Sequence, residues 1–167
     1  MIEKKINLPS HKKLIELEKK AKIEGSGIDY DSLLGLWKFK SVWRQSGDKE
    51  DSISSSLLQV LSATLELKTD KQEPEKELFT ISNSIKFGIF SLRFSGPANL
   101  ERKQPLLIFS FDCIEIKLAS LIILKRSLQT AKQSKRPFFG LIAIDSNGKW
   151  LSARGKGGGL ALWESDS

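Results

Sequence analysis

The chain of 167 residues carries 27 Lys and Arg against 20 Asp and Glu, a formal net charge of +7, with 40% hydrophobic and 28% charged residues. That length suits one domain, the apolar fraction is enough for a packed core, and the positive balance favours anionic partners such as phospholipid headgroups, nucleic acid or an acidic ligand. A single cysteine excludes an internal disulfide framework, and a single histidine argues against a protein-built zinc or haem site and leaves serine-type triads without a base.

In chain order, Met1-Ile2-Glu3-Lys4-Lys5 is followed by no apolar signal region, so neither an export nor a transit peptide is expected. This points to a cytoplasmic location. From Ser10 to Glu24, Leu14, Leu17 and Ala21 fall on one stripe among lysines, which predicts an amphipathic helix with Ser10 as N-cap and Gly25 as stop. His11 is expected to be exposed at its start. Asp29 to Leu34 allows one more turn, capped by Asp29 or Asp31, before Gly35. Residues 1–34 thus read as a helical segment and 35–167 as the β-rich body of a single domain.

From Gly35 the pattern changes to period two. Trp37, Phe39 and Trp43 are interleaved with Lys38, Lys40 and Arg44, one aromatic face and one basic. Residues 45 to 56 read as a polar loop, with a short helical turn at Leu57 to Leu61. Further strands are predicted at Ala63 to Lys68, Leu78 to Asn83, Phe87 to Ser95, Leu106 to Phe111, Ile114 to Leu118, Phe138 to Ile144, Lys149 to Arg154 and Leu160 to Trp163. Asn147-Gly148 is a strong hairpin signal and Gly155-Lys156-Gly157-Gly158-Gly159 supplies the next reversal. A helix followed by about eight or nine antiparallel strands can satisfy its edges by closing into a barrel able to enclose a small ligand. No uncharged apolar run is long enough for a membrane-spanning helix.

The chemical motifs read mostly as structure. Gly155 to Gly159 lacks the spacing and following helix of a phosphate-binding loop. Asp112 and Glu115, in an apolar stretch, read as solvated strand ends or ion pairs rather than a glycosidase carboxylate pair, and Cys113 as an inert core residue. No motif implies a cofactor. Basic residues cluster between Arg102 and Arg136, but Phe109, Phe111, Phe138 and Phe139 lie in apolar runs rather than as exposed stacking platforms, so nucleic acid is not the expected partner. The basic rim and the helix are instead expected to meet an anionic membrane surface.

The sharpest local feature is Gly35-Leu36-Trp37 opening the first strand, with Arg154 late in the chain. A large indole at the closed end of a barrel can take an arginine over its face. These residues, with Arg154-Gly155, Gly158 and Leu160-Ala161-Leu162-Trp163, resemble the calycin superfamily of lipocalin-like barrels, and more narrowly the plastid lipid-associated protein (fibrillin) family of plants and cyanobacteria. Gly25-Ser26-Gly27-Ile28-Asp29-Tyr30 stands where that family has an Asn-Pro segment, and Leu151 where it has an earlier strand arginine. The resemblance implies a mainly β fold, an antiparallel lipocalin-like (calycin) barrel with an N-terminal amphipathic helix. It also implies a non-enzymatic carrier of a lipophilic small molecule at photosynthetic membranes or lipid bodies, of the cyanobacterial type. The expected lining is Trp37, Phe39, Trp43, Phe87, Ile89, Phe109 and Phe111, with Arg93 as polar anchor and Arg154 as a second choice. Two alternatives stay open: an S-type phycobiliprotein lyase binding a linear tetrapyrrole, and a structural barrel with a filled interior.

Overall fold

The computed structural model describes residues 7–44, 51, 63–71, 76–101, 105–130, 132 and 135–166. The expected polar loop at 45 to 56, apart from Asp51, and the helical turn at Leu57 to Leu61 lie outside the described residues. So do Arg102 and Lys103 of the basic rim.

Two helices, α1 (His11–Glu24) and α2 (Tyr30–Leu33), precede ten strands: β1 (Gly35–Trp43), β2 (Thr64–Thr69), β3 (Leu78–Phe87), β4 (Phe90–Glu101), β5 (Leu106–Phe109), β6 (Cys113–Leu118), β7 (Leu121–Ser127), β8 (Phe138–Ile144), β9 (Trp150–Gly155) and β10 (Leu160–Ser165). All pairings are antiparallel. Eight strands in the order β3-β2-β1-β10-β9-β8-β5-β4 close through a β3–β4 pairing. The chain is therefore mainly β and forms a closed antiparallel eight-stranded barrel. The Asn147-Gly148 reversal is formed, with Gly148 N–H donating to Asp145 O at 2.8 Å, and Gly155 to Gly159 join β9 to β10 as a turn.

Two β-bulges explain which side chains face inward. Trp37 and Phe39 pair with Ser165 and Trp163, but the register slips between Phe39 and Ser41. The extra residue reverses the alternation. Val42 then joins the barrel core while Trp43 turns outward into a second cluster with Leu14, Ile142, Leu160 and Leu162. A matching slip on β8 separates inward Leu141 from Ala143. This second cluster is the seat of α1.

Helix α1 spends its apolar stripe on that seat, since Leu14 and Ala21 are buried. Ser10 caps its N-terminus and Gly25 donates to Ala21 O at its end. Glu18, on the same stripe, is buried as well. It receives a bidentate pair of hydrogen bonds from Arg154 on β9, both 2.6 Å, while Arg154 also donates to Gly158 O. This is the geometry of a strong charge-assisted clamp. Arg154 therefore does not lie over Trp37 as expected: it points outward, opposite Leu160 and Gly140 on its neighbouring strands, and its partner is the helix. His11 is half-buried, its ring 5.4 Å from that of Trp43.

The other end of the barrel is sealed by α2. Asp29 accepts from Ser32 N–H and caps this short helix. Gly35, at φ 137°, adopts a conformation that side-chain-bearing residues avoid and turns the chain from α2 into β1. Trp37 then fits beneath, its Nε1 donating to Leu33 O at 3.0 Å. Tyr30 stacks on Phe79 at 4.2 Å and donates to Leu78 O. Leu33, Leu67, Phe79, Ile81, Leu107 and Leu151 fill this half of the barrel.

The sheet departs from a plain barrel at β4. Its second half pairs with β5 and its first half with β6, so β5 and β6 act as one long strand with an irregularity at residues 110–112. β8 covers the far edge of β5, and β7 covers the far edge of β6. The ends of β3 and β4 thus continue with β6 and β7 as a flap beyond the barrel mouth. At the fork, Ser110 N–H donates to Pro97 O and Asp112 N–H to Ser95 O. A methyl group on Gly96 would stand 2.1 Å from Ser110 O. Only glycine fits there.

Two outcomes follow from these contacts. Gly96→Ala should lower stability by about 3 kcal/mol, while Gly140→Ala, whose added methyl would meet its nearest atom at 3.6 Å, should change urea midpoints little; equal midpoints for the two variants would contradict the fork. The Arg154 hydrogen bonds hold the Glu18 carboxyl below its ordinary 4.5, against the opposing effect of burial. Their contribution is full above pH 4.5 and is lost as pH falls through the depressed value. Glu18→Gln should therefore cost about 2 kcal/mol at pH 7 and less as the pH approaches 3, measured by urea titration at each pH.

Candidate functional site

The mouth opposite α2 is hollow. A cavity of ≈ 270 Å³ opens there, with Phe39 and Trp163 on one side, Leu92 and Phe94 on the other, and Asn83 and Thr64 at its wall. Its position follows from strand parity. Leu65, Leu67, Phe79 and Ile81 alternate inward lower down, and the same phase on β3 and β4 brings Asn83, Ile85, Leu92 and Phe94 to the mouth.

An aromatic belt underlies the cavity. Trp163 meets Phe139 edge-on at 5.5 Å, Phe139 meets Phe109 at 5.0 Å, Phe109 meets Phe111 at 5.3 Å, and Phe111 meets Phe94 at 5.7 Å. These separations are those of favourable offset and edge-to-face pairs. The belt runs around the upper interior from Trp163 to Phe94, both of which line the cavity.

Above the cavity, the inner face of the flap continues the same surface in three cross-strand rows. Asn83, Phe94, Ile114 and Arg126 form the first; Ile85, Leu92, Ile116 and Leu124 the second; Phe87, Phe90, Leu118 and Leu121 the third. The second and third rows are wholly apolar. Exposure rises outward, reaching 65% at Phe87 and 70% at Leu121. A contiguous apolar sheet face left open in this way is a candidate binding surface.

The outer face of the flap is polar by the opposite parity except at Ile122, which a slip in the β6–β7 register sets opposite Lys117. Arg93 donates to Ser82 Oγ at 2.7 Å and pairs with Glu66 at 3.1 Å. Glu115 pairs with Lys117 at 3.0 Å and Lys125 at 3.8 Å. The Lys117 hydrogen bond holds the Glu115 carboxyl below its ordinary value.

The expected lining residues are thus distributed over several places. Phe39 borders the cavity, and Phe109 and Phe111 belong to the belt beneath it. Trp37 lies deep in the filled half. Trp43 is displaced to the outside by the bulge on β1. Phe87 and Ile89 stand at the exposed tip of the β3–β4 hairpin, because that hairpin outruns the barrel. Arg93 faces away from the lumen, since it sits between inward Leu92 and Phe94, so it is not an interior anchor. The interior polar group at this level is Asn83, with Arg126 at the open end of the same row. Cys113 is half-buried at the start of β6 rather than in the core.

Among the described residues no cluster of His, Cys, Asp and Glu could hold a metal ion, and no helix is long and apolar enough to cross a membrane. Protein-family models and curated proteins give no match to the chain.

Leu92 belongs both to the cavity wall and to the second row, so a charge there tests the continuous apolar surface. The native protein should bind the apolar dye anilinonaphthalene sulfonate, and Leu92→Glu should weaken that binding at least about tenfold. Unfolding midpoints measure whether the variant keeps its fold; undiminished dye binding by folded Leu92→Glu would contradict an open apolar face.

Proposed function

We propose that the barrel is a non-enzymatic binding protein for a lipophilic small molecule such as a lipid, pigment or quinone-like compound. The observation that carries this reading is the continuity of the mouth cavity with the apolar inner face of the flap. The cavity alone is near the lower end of ligand-site volumes, about 300 Å³. It accepts a ring or the leading part of a chain, and the remainder of the molecule lies along the Ile85–Leu92–Ile116–Leu124 row. Asn83 supplies a polar contact at the wall, and Arg126, at the outer column of its row, is placed to meet an anionic headgroup.

The resemblance to the plastid lipid-associated proteins supports the same class of ligand. The Gly35-x-Trp37 opening serves the closed end in this chain, with Trp37 locked under α2. Arg154 fastens the helix. Both are structural, which leaves the mouth as the ligand end. A barrel filled throughout does not suit the hollow mouth, and a tetrapyrrole lyase would need cations for two propionates, whereas Arg93 and Arg154 point outward and Arg126 is the one arginine on the described inner rows.

A polyene fatty acid that fluoresces in apolar surroundings, cis-parinaric acid, tests the reading. Trp163 borders the cavity, so bound polyene should quench tryptophan emission by energy transfer. Trp163→Phe should lower that transfer, the other three tryptophans supplying the rest, while leaving directly excited polyene fluorescence, and Phe94→Lys should abolish both. Absence of saturable polyene binding to the folded protein would remove the proposal.

A further inference from the structure

We infer that the protein docks on anionic membranes through the tips of its flap, with the barrel mouth turned to the bilayer, an arrangement that rests on the lipophile-binding reading for its purpose. The turn at Gly88 between β3 and β4 and the turn at Ala119-Ser120 between β6 and β7 lie side by side, joined by a hydrogen bond from Ala119 N–H to Ile89 O at 2.6 Å. Phe87, Ile89, Phe90, Leu121, Ile122 and Ile123 at these tips are each more than half exposed. Aromatic and aliphatic side chains offered on two adjacent, hydrogen-bonded turns are suited to enter the boundary between headgroups and acyl chains.

Charge selects the kind of surface. Lys86 and Lys117 share one cross-strand row through Ser91, directly behind the apolar tips, and Lys125 and Arg126 follow on β7. The acid on the flap is Glu115, already paired with Lys117 and Lys125. At the opposite end of the barrel the cleft beside α2 is lined by Glu24, Asp29, Asp31, Glu77 and Glu101. The described groups thus put a basic row behind the mouth and an acid-lined cleft at the sealed end, where Lys71 and Lys76 also stand on the β2–β3 connection. An anionic bilayer attracts the first and repels the second, which fixes the orientation.

The same charges argue against a second copy of the chain as occupant. Strand β7 is an edge of the sheet, but antiparallel pairing with its own copy would gather Lys125 and Arg126 of both protomers without an added acid. Helix α1, the element the sequence suggests for docking, has its apolar stripe buried on the barrel and Glu18 clamped to Arg154. Its exposed lysines, of which Lys13, Lys20 and Lys22 pair with Glu16, Glu24 and Glu18, add only long-range attraction. Docking by the tips also brings the two wholly apolar rows into line between bilayer and cavity, so a lipophile passes along them without crossing water.

Co-flotation of the full chain with phosphatidylglycerol-containing vesicles and with pure phosphatidylcholine vesicles tests this. The wild type should float with the former and remain largely below the latter, and added salt should weaken its retention. Phe87→Ser with Phe90→Ser, and separately Lys86→Glu with Lys117→Glu, should each lower retention at least about tenfold. Lys19→Glu with Lys20→Glu on α1 should lower it far less. The Lys86 and Lys117 changes lie on the outer face, away from the apolar rows, although Lys117→Glu also removes the ion pair with Glu115. Polyene binding in solution should survive in that variant, and its unfolding midpoint shows that it is folded. Absence of wild-type flotation, or equal losses from the helix and tip variants, would overturn the inference. So would a stable dimer in sedimentation that the Phe87 and Phe90 changes dissolve without any vesicle binding. Polyene uptake without flotation overturns docking alone, whereas flotation without polyene uptake overturns the pocket reading and supports docking.

Discussion

The architecture depends on one length mismatch. Strand β4 is twelve residues long and is hydrogen-bonded along one edge to the nearly continuous β5–β6 strand. Strand β3 runs along the other edge of β4 for ten residues, while the far edge of β5–β6 is divided between β8 along the lower part and β7 along the upper. A closed barrel and an open sheet therefore share two strands. Below Gly96 the barrel is wrapped and filled; beyond the Ser84–Arg93 pair, where β2 ends, the strands continue as a two-faced sheet whose inner face carries no further layer among the described residues.

That division gives each half a separate physical task. The filled half buries Trp37, Phe79 and six aliphatics or more under α2, and this burial is where hydrophobic stabilisation concentrates. The open half leaves apolar surface in water, an arrangement that costs free energy in the unliganded protein and is recovered when that surface is covered. The clamp between Glu18 and Arg154 keeps α1 on the outer wall, so the helix neither plugs the mouth nor competes for the flap.

Much of this was legible in the sequence because it depended on alternation. The period-two pattern after Gly35, the Asn147-Gly148 turn, the Ser10 and Asp29 caps and the barrel closure all follow from local chemistry. Parity itself also placed Arg93 outside, since Leu92 and Phe94 flank it, although its position in an apolar run suggested an anchor. Trp43 could not be placed, because one inserted residue at the β1 bulge reverses every side chain beyond it, and no local signal marks the insertion. Strand β7 went unrecognised for a related reason: Leu121-Ile122-Ile123-Leu124 is apolar at every position and shows no alternation. The Glu18–Arg154 pair spans 136 residues, and Gly96 is dictated by a crossing strand; neither leaves a trace in neighbouring residues. The candidate site was legible in kind, as an aromatic interior, but its location at the flap base required the topology.

The central claim is that the open half of the barrel exists to be covered by a lipophilic molecule. Gentle purification from cells producing the chain, solvent extraction of the folded protein and mass spectrometry of the extract test it most directly. The account predicts a stoichiometric lipid, pigment or quinone-like compound that is depleted when Phe94 and Leu92 are replaced by charged residues. A folded protein that yields no such compound, or one that yields the same compound regardless of those replacements, would contradict it.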